Sequence, residues 1–119
     1  MKFGFEDLEV WQLALEVIDK MYEIADKFPP MELYNLTSQV RRAAISISLN
    51  IAEGSGRHQK RDFARFIRLS IGSLLEVVAC LKIAIRRNYL AQSEYVSTVS
   101  PLIEKLYFKL IALEKSLVA

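Results

Sequence analysis

Apolar residues recur every three or four positions over four stretches of this chain, and no stretch shows the period-two alternation of a β-strand. The spacing predicts helices over about 8–27, 32–53, 59–87 and 93–117. Phe28-Pro29-Pro30 separates the first two, because a helix seldom continues into the residue before a proline. Short connections between long helices make neighbours antiparallel. The pattern therefore predicts an all-α fold, an up-down-up-down antiparallel four-helix bundle.

Local signals predict where these helices begin, end and bend. Asp7 is expected to cap the amino terminus of the first helix. Gly54, in the run Gly54-Ser55-Gly56, suits a left-handed cap at the carboxy terminus of the second helix. Pro101 is expected to kink the fourth helix or to break it around Ser100, because proline has no backbone N–H to donate.

The second helix has two apolar strips and a polar line, which is more than an ordinary core helix carries. The first strip comprises Val40, Ala44, Ile47 and Ile51. The opposite strip comprises Ile45, Leu49 and Ala52. The polar line comprises Gln39, Arg42, Ser46, Asn50 and Glu53. One bundle interior cannot cover both apolar strips, so we predict that one of them contacts another copy of the chain.

The chain length and composition point to one soluble domain. With 119 residues, no internal repeat and no low-complexity tract, a single domain over residues 1–119 is expected. The first residues lack the apolar run of a signal peptide, and no window approaches the roughly 18 uncharged apolar residues of a membrane span. Cys80, the only cysteine, lies in an apolar run and is expected to be a buried hydrophobe. We expect a cytoplasmic protein with no membrane partner.

Charge is distributed unevenly, although the net charge is only +2. Residues 1–40 carry a net charge of −5, residues 41–87 of +7, and the remainder of 0. On the third helix, basic side chains share less than a third of the circumference over about 37 Å. With the residues that precede and follow that helix, they form the basic ridge, a candidate phosphate-binding surface: Arg57, Lys60, Arg61, Arg65, Arg68, Lys82, Arg86 and Arg87. The alternative is a solvated face, with the acids of the first helix paired to it within or between chains.

The polar line of the second helix also allows two interpretations. It could be an active site, but Arg42 and Glu53 lie three turns apart and cannot pair within one helix. Ion pairs that fix the helix register are the favoured interpretation, with Arg42 bonded to Glu76 and Glu53 bonded to Arg57 or Arg65. Whether Arg41 and Arg42 face solvent, an interface or the core stays open.

Catalytic and metal chemistry find little support in the sequence. His58, the only histidine, lies in a basic loop without a nucleophile at recognisable spacing. One histidine and one cysteine cannot make a zinc site, and the Glu-x-x-His pattern of metal-carrying bundles is missing. Gly54-Ser55-Gly56 lacks the strand and the Gly-Lys-Ser/Thr ending of a phosphate loop. We expect no enzymatic activity, no cofactor and no metal.

Three stretches of sequence resemble a known family: FEDLEVWQLALE, FPPMELYNLTSQVRRAAISISLNIAEGSGR and FARFIRLSIGSLLEV. The chain is similar to the four-helix bundle proteins, also called the 23S rRNA intervening sequence proteins. The resemblance implies an up-down-up-down bundle that assembles into a homopentamer, encoded in bacteria, without enzymatic activity. The family is similar to the accessory protein of diversity-generating retroelements, a basic pentamer that binds nucleic acid and associates with a reverse transcriptase. The motif positions on this chain are Arg41, Arg42, Ser46, Asn50, Glu53, Gly54, Arg57, Phe63, Phe66, Gly72, Ser73 and Glu76.

Together these observations predict a non-enzymatic homo-oligomer, a pentamer, that binds RNA or DNA electrostatically through the basic ridge. Its expected partners are itself, a nucleic acid, and a reverse transcriptase or another protein. The alternative is an oligomeric adaptor that binds a protein, with its arginines serving only salt bridges. The two hypotheses differ in the expected response of nucleic-acid affinity to salt.

Overall fold

The computed structural model describes residues 1–119, and its regular structure is entirely helical. Helix α1 spans Glu9–Ala25, α2 spans Leu36–Ser55 and α3 spans Lys60–Arg86. Helix α4 has three continuous segments: an α-helical turn, Gln92–Glu94, a π-helical turn, Tyr95–Val99, and an α-helical segment, Ser100–Val118. The molecule measures 44 × 26 × 22 Å. No helix combines the length and the apolar character needed to cross a membrane.

The four helices form a closed cycle of neighbours. Helix α2 packs against α1 and α3, and α4 packs against α3 and closes on α1. The diagonal pairs, α1 with α3 and α2 with α4, share no comparable contact. The predicted up-down-up-down antiparallel bundle is confirmed. Helices α1 and α3 therefore lie at opposite corners of the bundle.

A single apolar core runs through the bundle and draws on all four helices. Its fully buried side chains include Val17, Met21, Ile47, Ile51, Leu74, Leu81, Leu106 and Leu110. The first apolar strip of α2 lies in this core, whereas Leu49 of the opposite strip is 62% exposed and Ile45 and Ala52 are partly exposed. Helix α2 thus has one apolar face inside the bundle and a second that the chain covers only in part, where the amino-terminal turn lies beside Ala52.

The ends of the first two helices differ from the predictions. Asp7 does not cap α1, because it belongs to a separate 3-10 turn, Gly4–Asp7. The Asp7 carboxylate pairs with Lys2 Nζ at 2.8 Å. Glu6 accepts a hydrogen bond from the Phe3 backbone N–H at 2.8 Å, which satisfies that turn locally. Pro30–Glu32 forms a second 3-10 turn, so α2 begins at Leu36 rather than at residue 32.

The prediction that Gly54 caps the carboxy terminus of α2 was wrong, and Gly54 has a different structural role. Gly54 lies inside α2 and is buried, and no glycine of the chain has a positive φ. A Cβ placed on Gly54 would lie 2.6 Å from Phe66 Cβ and 3.0 Å from Phe63 Cδ1. The missing side chain therefore lets α2 and α3 approach closely, and α2 ends one residue later at Ser55.

The predicted irregularity in α4 is present as a widened turn rather than a break. The π-helical turn Tyr95–Val99 comes directly before Ser100, and Pro101 stands in the first turn of the following segment. A proline fits there because it has no N–H to donate, and the π-helical turn before it already interrupts the regular α-helical hydrogen-bond pattern. The chain continues without a gap into Ser100–Val118.

Tyr89 ties the end of α3 to the connection between α1 and α2. Its hydroxyl donates to Glu32 Oε2 at 2.9 Å, and its ring lies 5.6 Å from that of Phe28. The bond from Tyr89 is the main reason that the pKa of Glu32 lies below its ordinary value of 4.5. Partial burial opposes this lowering, while hydrogen bonds from Leu36 and Asn35 assist it.

Replacing Tyr89 by phenylalanine is expected to raise the pKa of Glu32 and to lower stability only where that carboxyl is ionised. A carboxyl whose pKa is depressed by folding stabilises the fold above its unfolded pKa, and the contribution disappears as pH falls through the folded pKa. Urea midpoints of the two proteins should therefore differ at about pH 7 and converge below about pH 4. A difference that persists unchanged at about pH 3 would contradict this role.

Candidate nucleic-acid interface

All eight side chains of the basic ridge are exposed. They form two clusters on the outer side of α3 and its flanking turns. The amino-terminal cluster comprises Arg57, Lys60, Arg61, Arg65 and Arg68. The carboxy-terminal cluster comprises Lys82, Arg86 and Arg87. About 21 Å of helix separates Arg68 from Lys82, and that middle part exposes Leu69, Gly72, Leu75 and Ala79, with Glu76 as its one exposed charge.

Only two of the eight cations are paired with carboxylates. Arg57 Nη2 lies 3.1 Å from Glu53 Oε1, and Arg68 Nη1 lies 2.9 Å from Glu114 Oε2. The others make no ion pair within 4.0 Å: Lys60, Arg61, Arg65, Lys82, Arg86 and Arg87. Salt bridges within the chain therefore account for a quarter of the ridge and leave most of its charge available.

Phe66 positions two arginines of the amino-terminal cluster. The guanidinium carbons of Arg57 and Arg65 each lie 4.6 Å from the centre of its ring, which is buried against Gly54. Stacking on a ring restrains a guanidinium while leaving its in-plane N–H donors free. In the same way, Lys82 Nζ lies 4.4 Å from the ring centre of Tyr95. This arrangement was not predicted from the sequence, although Phe66 and Gly54 are both motif positions.

The acidic side chains of α1 do not neutralise the ridge within one chain. Glu9, Glu16, Asp19 and Glu23 are all exposed on the outer side of α1, diagonally across the bundle from α3. Those that pair do so nearby, Glu9 with Lys109 at 3.2 Å and Glu23 with Lys20 at 3.6 Å. The bundle thus has an acidic side and a basic side that do not touch.

Arg41 and Arg42, which are adjacent in sequence, have different environments. Arg41 joins α2 to α1, because its Nη2 bonds Asp26 Oδ1 at 2.6 Å and its guanidinium lies 5.1 Å from the ring centre of Tyr22. Its Nε is buried without a hydrogen-bond partner. Arg42 is exposed and has no ion pair. Arg41 is therefore a structural residue, whereas nothing within the chain requires Arg42.

The other polar motif residues bond within α2 and from α2 to α3. Ser73 Oγ donates to Ser46 Oγ at 3.0 Å, and Asn50 Nδ2 donates to the Ser46 carbonyl at 2.9 Å. The predicted pair of Glu53 with Arg57 is confirmed, and Glu53 makes no ion pair with Arg65.

The predicted pair of Arg42 with Glu76 was wrong. Both side chains line one open cavity of about 420 Å³ between α2 and α3, but no ion pair joins them. Each side chain extends into solvent from its own helix, where hydration replaces the pair.

The remaining candidate groups are His58, Cys80 and the acidic side chains. No three His, Cys, Asp or Glu side chains lie close enough together to hold a metal ion. Burial raises the pKa of the Cys80 thiol, and the nearby charge of Glu76 adds to this, so the thiolate form is disfavoured. His58 is exposed in the turn that follows α2.

Two comparisons with known proteins give different results. The comparison with curated proteins gives no match. The comparison with protein families matches residues 6–111 to the family described as 23S rRNA-intervening sequence protein. The matched region begins in the amino-terminal turn and ends within α4, so it contains the whole basic ridge and all the motif positions. The chain belongs to the 23S rRNA-intervening sequence protein family.

Proposed function

We propose that this chain is a non-enzymatic, homo-oligomeric bundle of the bacterial cytoplasm that binds RNA or DNA through phosphate contacts from the basic ridge. A pentamer is the assembly that the family resemblance implies. The observation that carries the proposal is the set of six exposed cations without carboxylate partners on one side of the bundle. Cations left unpaired near one another repel, and phosphate oxygens relieve that repulsion while releasing condensed counterions.

The spacing of the two clusters suits a nucleic-acid backbone better than a small anion. Their separation of about 21 Å spans several phosphates of a duplex, whose axis carries one charge for about every 1.7 Å. The middle of α3 carries no cation, so binding depends on reaching both clusters at once. In an oligomer the ridge is repeated by each chain, and several weak contacts combine into a stronger one.

The proposed binding is independent of base sequence. The rings that belong to the ridge, Phe66 and Tyr95, are buried under the cations and cannot stack on bases. Phosphate contacts orient a protein on nucleic acid but read no sequence. Any specificity must then come from the shape of the nucleic acid or from a partner protein, for which a reverse transcriptase is one candidate that the resemblance implies.

A salt titration of binding to labelled structured RNA and duplex DNA tests the proposal. For about six phosphate contacts, the logarithm of the association constant should fall against the logarithm of salt concentration with a slope of about −5. A triple alanine variant at Lys60, Arg61 and Arg65 removes three cations without a carboxylate partner. We expect it to reduce the steepness of the slope by about 2.7, since each contact contributes about 0.9.

The matched control is a triple alanine variant at Lys20, Lys27 and Lys109. It removes the same charge from another part of the bundle. Lys20 lies on α1, Lys27 lies just after α1, and Lys109 lies on α4, where it pairs with Glu9 of α1. The control should keep the slope of the unaltered protein, because these side chains lie away from the ridge. Equal losses in both variants, or no binding at low salt, would reject the ridge as a phosphate surface.

A protein-binding adaptor is a second candidate, favoured by an apolar groove between α3 and α4. The groove has a volume of about 310 Å³, and its lining includes Val78, Tyr107 and Phe108. Phe108 is 65% exposed, which is unusual for a large aromatic side chain with no partner. An adaptor should bind nucleic acid at no salt concentration, so the titration separates the two functions.

A further inference from the structure

Two helices at opposite corners of the bundle expose apolar side chains that the chain itself does not cover. Leu49 projects from α2 and Phe108 from α4, and both are more than half exposed. Each is flanked by a partly exposed neighbour, Ile45 on α2 and Ile111 on α4. Helices α2 and α4 both run antiparallel to α3, which lies between them, so they run parallel to each other.

The charges that border these two apolar strips are arranged in opposite order. In chain direction, α2 exposes Arg42, Leu49 and Glu53, whereas α4 exposes Glu104, Phe108 and Lys115. In each helix 11 residues separate the two charges, which is about 16 Å of helix. The order along α2 is thus cation, apolar residue, anion, and the order along α4 is anion, apolar residue, cation.

The two series also lie at the same levels along the bundle axis. Gly54, next to Glu53, meets Phe66 of α3, and Glu114, next to Lys115, meets Arg68 of α3. Glu53 and Lys115 are therefore level with the same turn of α3.

The opposite ends of the two series match in the same way. Arg42 shares a cavity with Ser73 and Glu76 of α3, and Glu104 shares a groove with Leu75 and Val78 of α3. Two copies at equal height would place Arg42 opposite Glu104 and Glu53 opposite Lys115.

We propose a head-to-tail contact in which α2 of one copy lies parallel beside α4 of a second copy, with Leu49 packed against Phe108. Arg42 and Glu104 then form one bordering ion pair, and Glu53 and Lys115 form the other. Arg42, Glu104 and Lys115 have no ion pair within their own chain, and Glu53 has only the exposed bond to Arg57. The proposal rests on the self-association that is part of the proposed function, and it assigns the surfaces that meet.

The positions of the two surfaces also determine how the assembly curves. Arg42 and Leu49 line a cavity on the α3 side of α2, and Glu104 and Phe108 line a groove on the α3 side of α4. Both contact surfaces therefore tilt toward α3, so both neighbours of a copy are displaced toward its α3 side. Repeated head-to-tail contacts of this kind close into a ring when the rotation from one copy to the next is a whole fraction of 360°. The basic ridges face the inside of that ring and the acidic α1 helices face outward.

A pair of variants tests the contact directly. Leu49→Glu disables the α2 surface and Phe108→Glu disables the α4 surface, because each places a carboxylate in the apolar centre of the contact. Sedimentation velocity should show each variant alone as a monomer at a concentration where the unaltered chain is assembled. An equimolar mixture should form a particle of twice the chain mass, since each variant keeps the one surface that the other lacks. A contact of two identical surfaces predicts that the mixture stays monomeric or that one variant stays assembled, and either result overturns the proposal.

Charge reversal provides the second test. Arg42→Glu and Glu104→Arg should each reduce assembly, because like charges then face each other, and the double variant should recover it. Recovery in the double variant cannot come from misfolding. Glu16→Arg, on the exposed side of α1, is the matched control and should keep the assembled size. If every variant still assembles, the proposed contact is wrong and the copies meet through another surface, although the chain is an oligomer. A monomeric unaltered chain would overturn both this contact and the self-association on which it rests.

Discussion

Replacement of Gly54 by valine is expected to lower the free energy of unfolding by about 3 kcal/mol. The new Cβ would start 2.6 Å from Phe66 Cβ, an atom that cannot move without the α3 backbone. Helix α2 must therefore separate from α3, which also loosens the bond between Ser46 and Ser73. Valine has a better helix propensity than glycine, but that gain of roughly 0.5 kcal/mol does not offset the clash. Urea unfolding at one fixed protein concentration measures the change.

The same substitution at Gly72 is the matched control for the effect at Gly54. Gly72 also lies in the interior of a long helix, but no atom lies within 4 Å of the position of its Cβ. Gly72→Val should therefore leave the free energy of unfolding within about 0.5 kcal/mol of the original value. Similar losses at both positions would show that backbone effects, rather than the close approach of α2 to α3, determine the outcome.

Truncation of Ile47 to alanine is expected to cost about 3 kcal/mol of the free energy of unfolding. Ile47 is 0% exposed, and its side chain packs in the core shared by the four helices. Removing it deletes buried methyl groups and leaves a cavity that rigid neighbours fill only in part. For a chain of this length, such a loss corresponds to a fall of roughly 10 °C in the thermal midpoint.

Leu49→Ala, two residues along the same helix, distinguishes the core from the outer strip. Its side chain contributes little to the fold of one chain, so unfolding of the dilute monomer should change by less than about 0.5 kcal/mol. The dependence of stability on protein concentration should weaken instead, because an oligomer is stabilised by mass action and Leu49 belongs to the proposed contact. Equal losses for Ile47→Ala and Leu49→Ala in the dilute monomer would contradict the assignment of the two strips.

The existence of the four helices and their pairing could be predicted because long periodic segments leave few alternatives. The ends of the helices could not be predicted in this way. Asp7 has the chemistry of a cap, but Lys2 holds its carboxylate in a separate turn. Gly54 has the chemistry of a left-handed end, but its neighbour in space, Phe66, requires the glycine inside the helix. The error at Gly54 comes from a contact between two helices, which local sequence does not reveal, whereas the error at Asp7 comes from a competing partner only five positions away.

The same limit applies to the charged side chains. The pair of Glu53 with Arg57 was predictable, since only four positions separate the partners across the end of α2. Arg41 pairs with Asp26, 15 residues away on another helix, and this pair was not predicted because it depends on how α1 and α2 pack. The stacking of Arg57 and Arg65 on Phe66 was missed for a similar reason, since the ring is available only because Gly54 makes room beneath it.

The diagonal placement of α1 and α3 makes each chain an electric dipole directed across the bundle axis. Negative charge lies at one corner and positive charge at the opposite corner, about one bundle width apart, although the net charge is only +2. A single free copy turns in the field of a polyanion before it touches it, so its collisions occur with α3 foremost, whereas the transverse dipoles of copies arranged in a ring cancel. Modest net charge is then compatible with fast association, and added salt should slow association as well as weaken the complex.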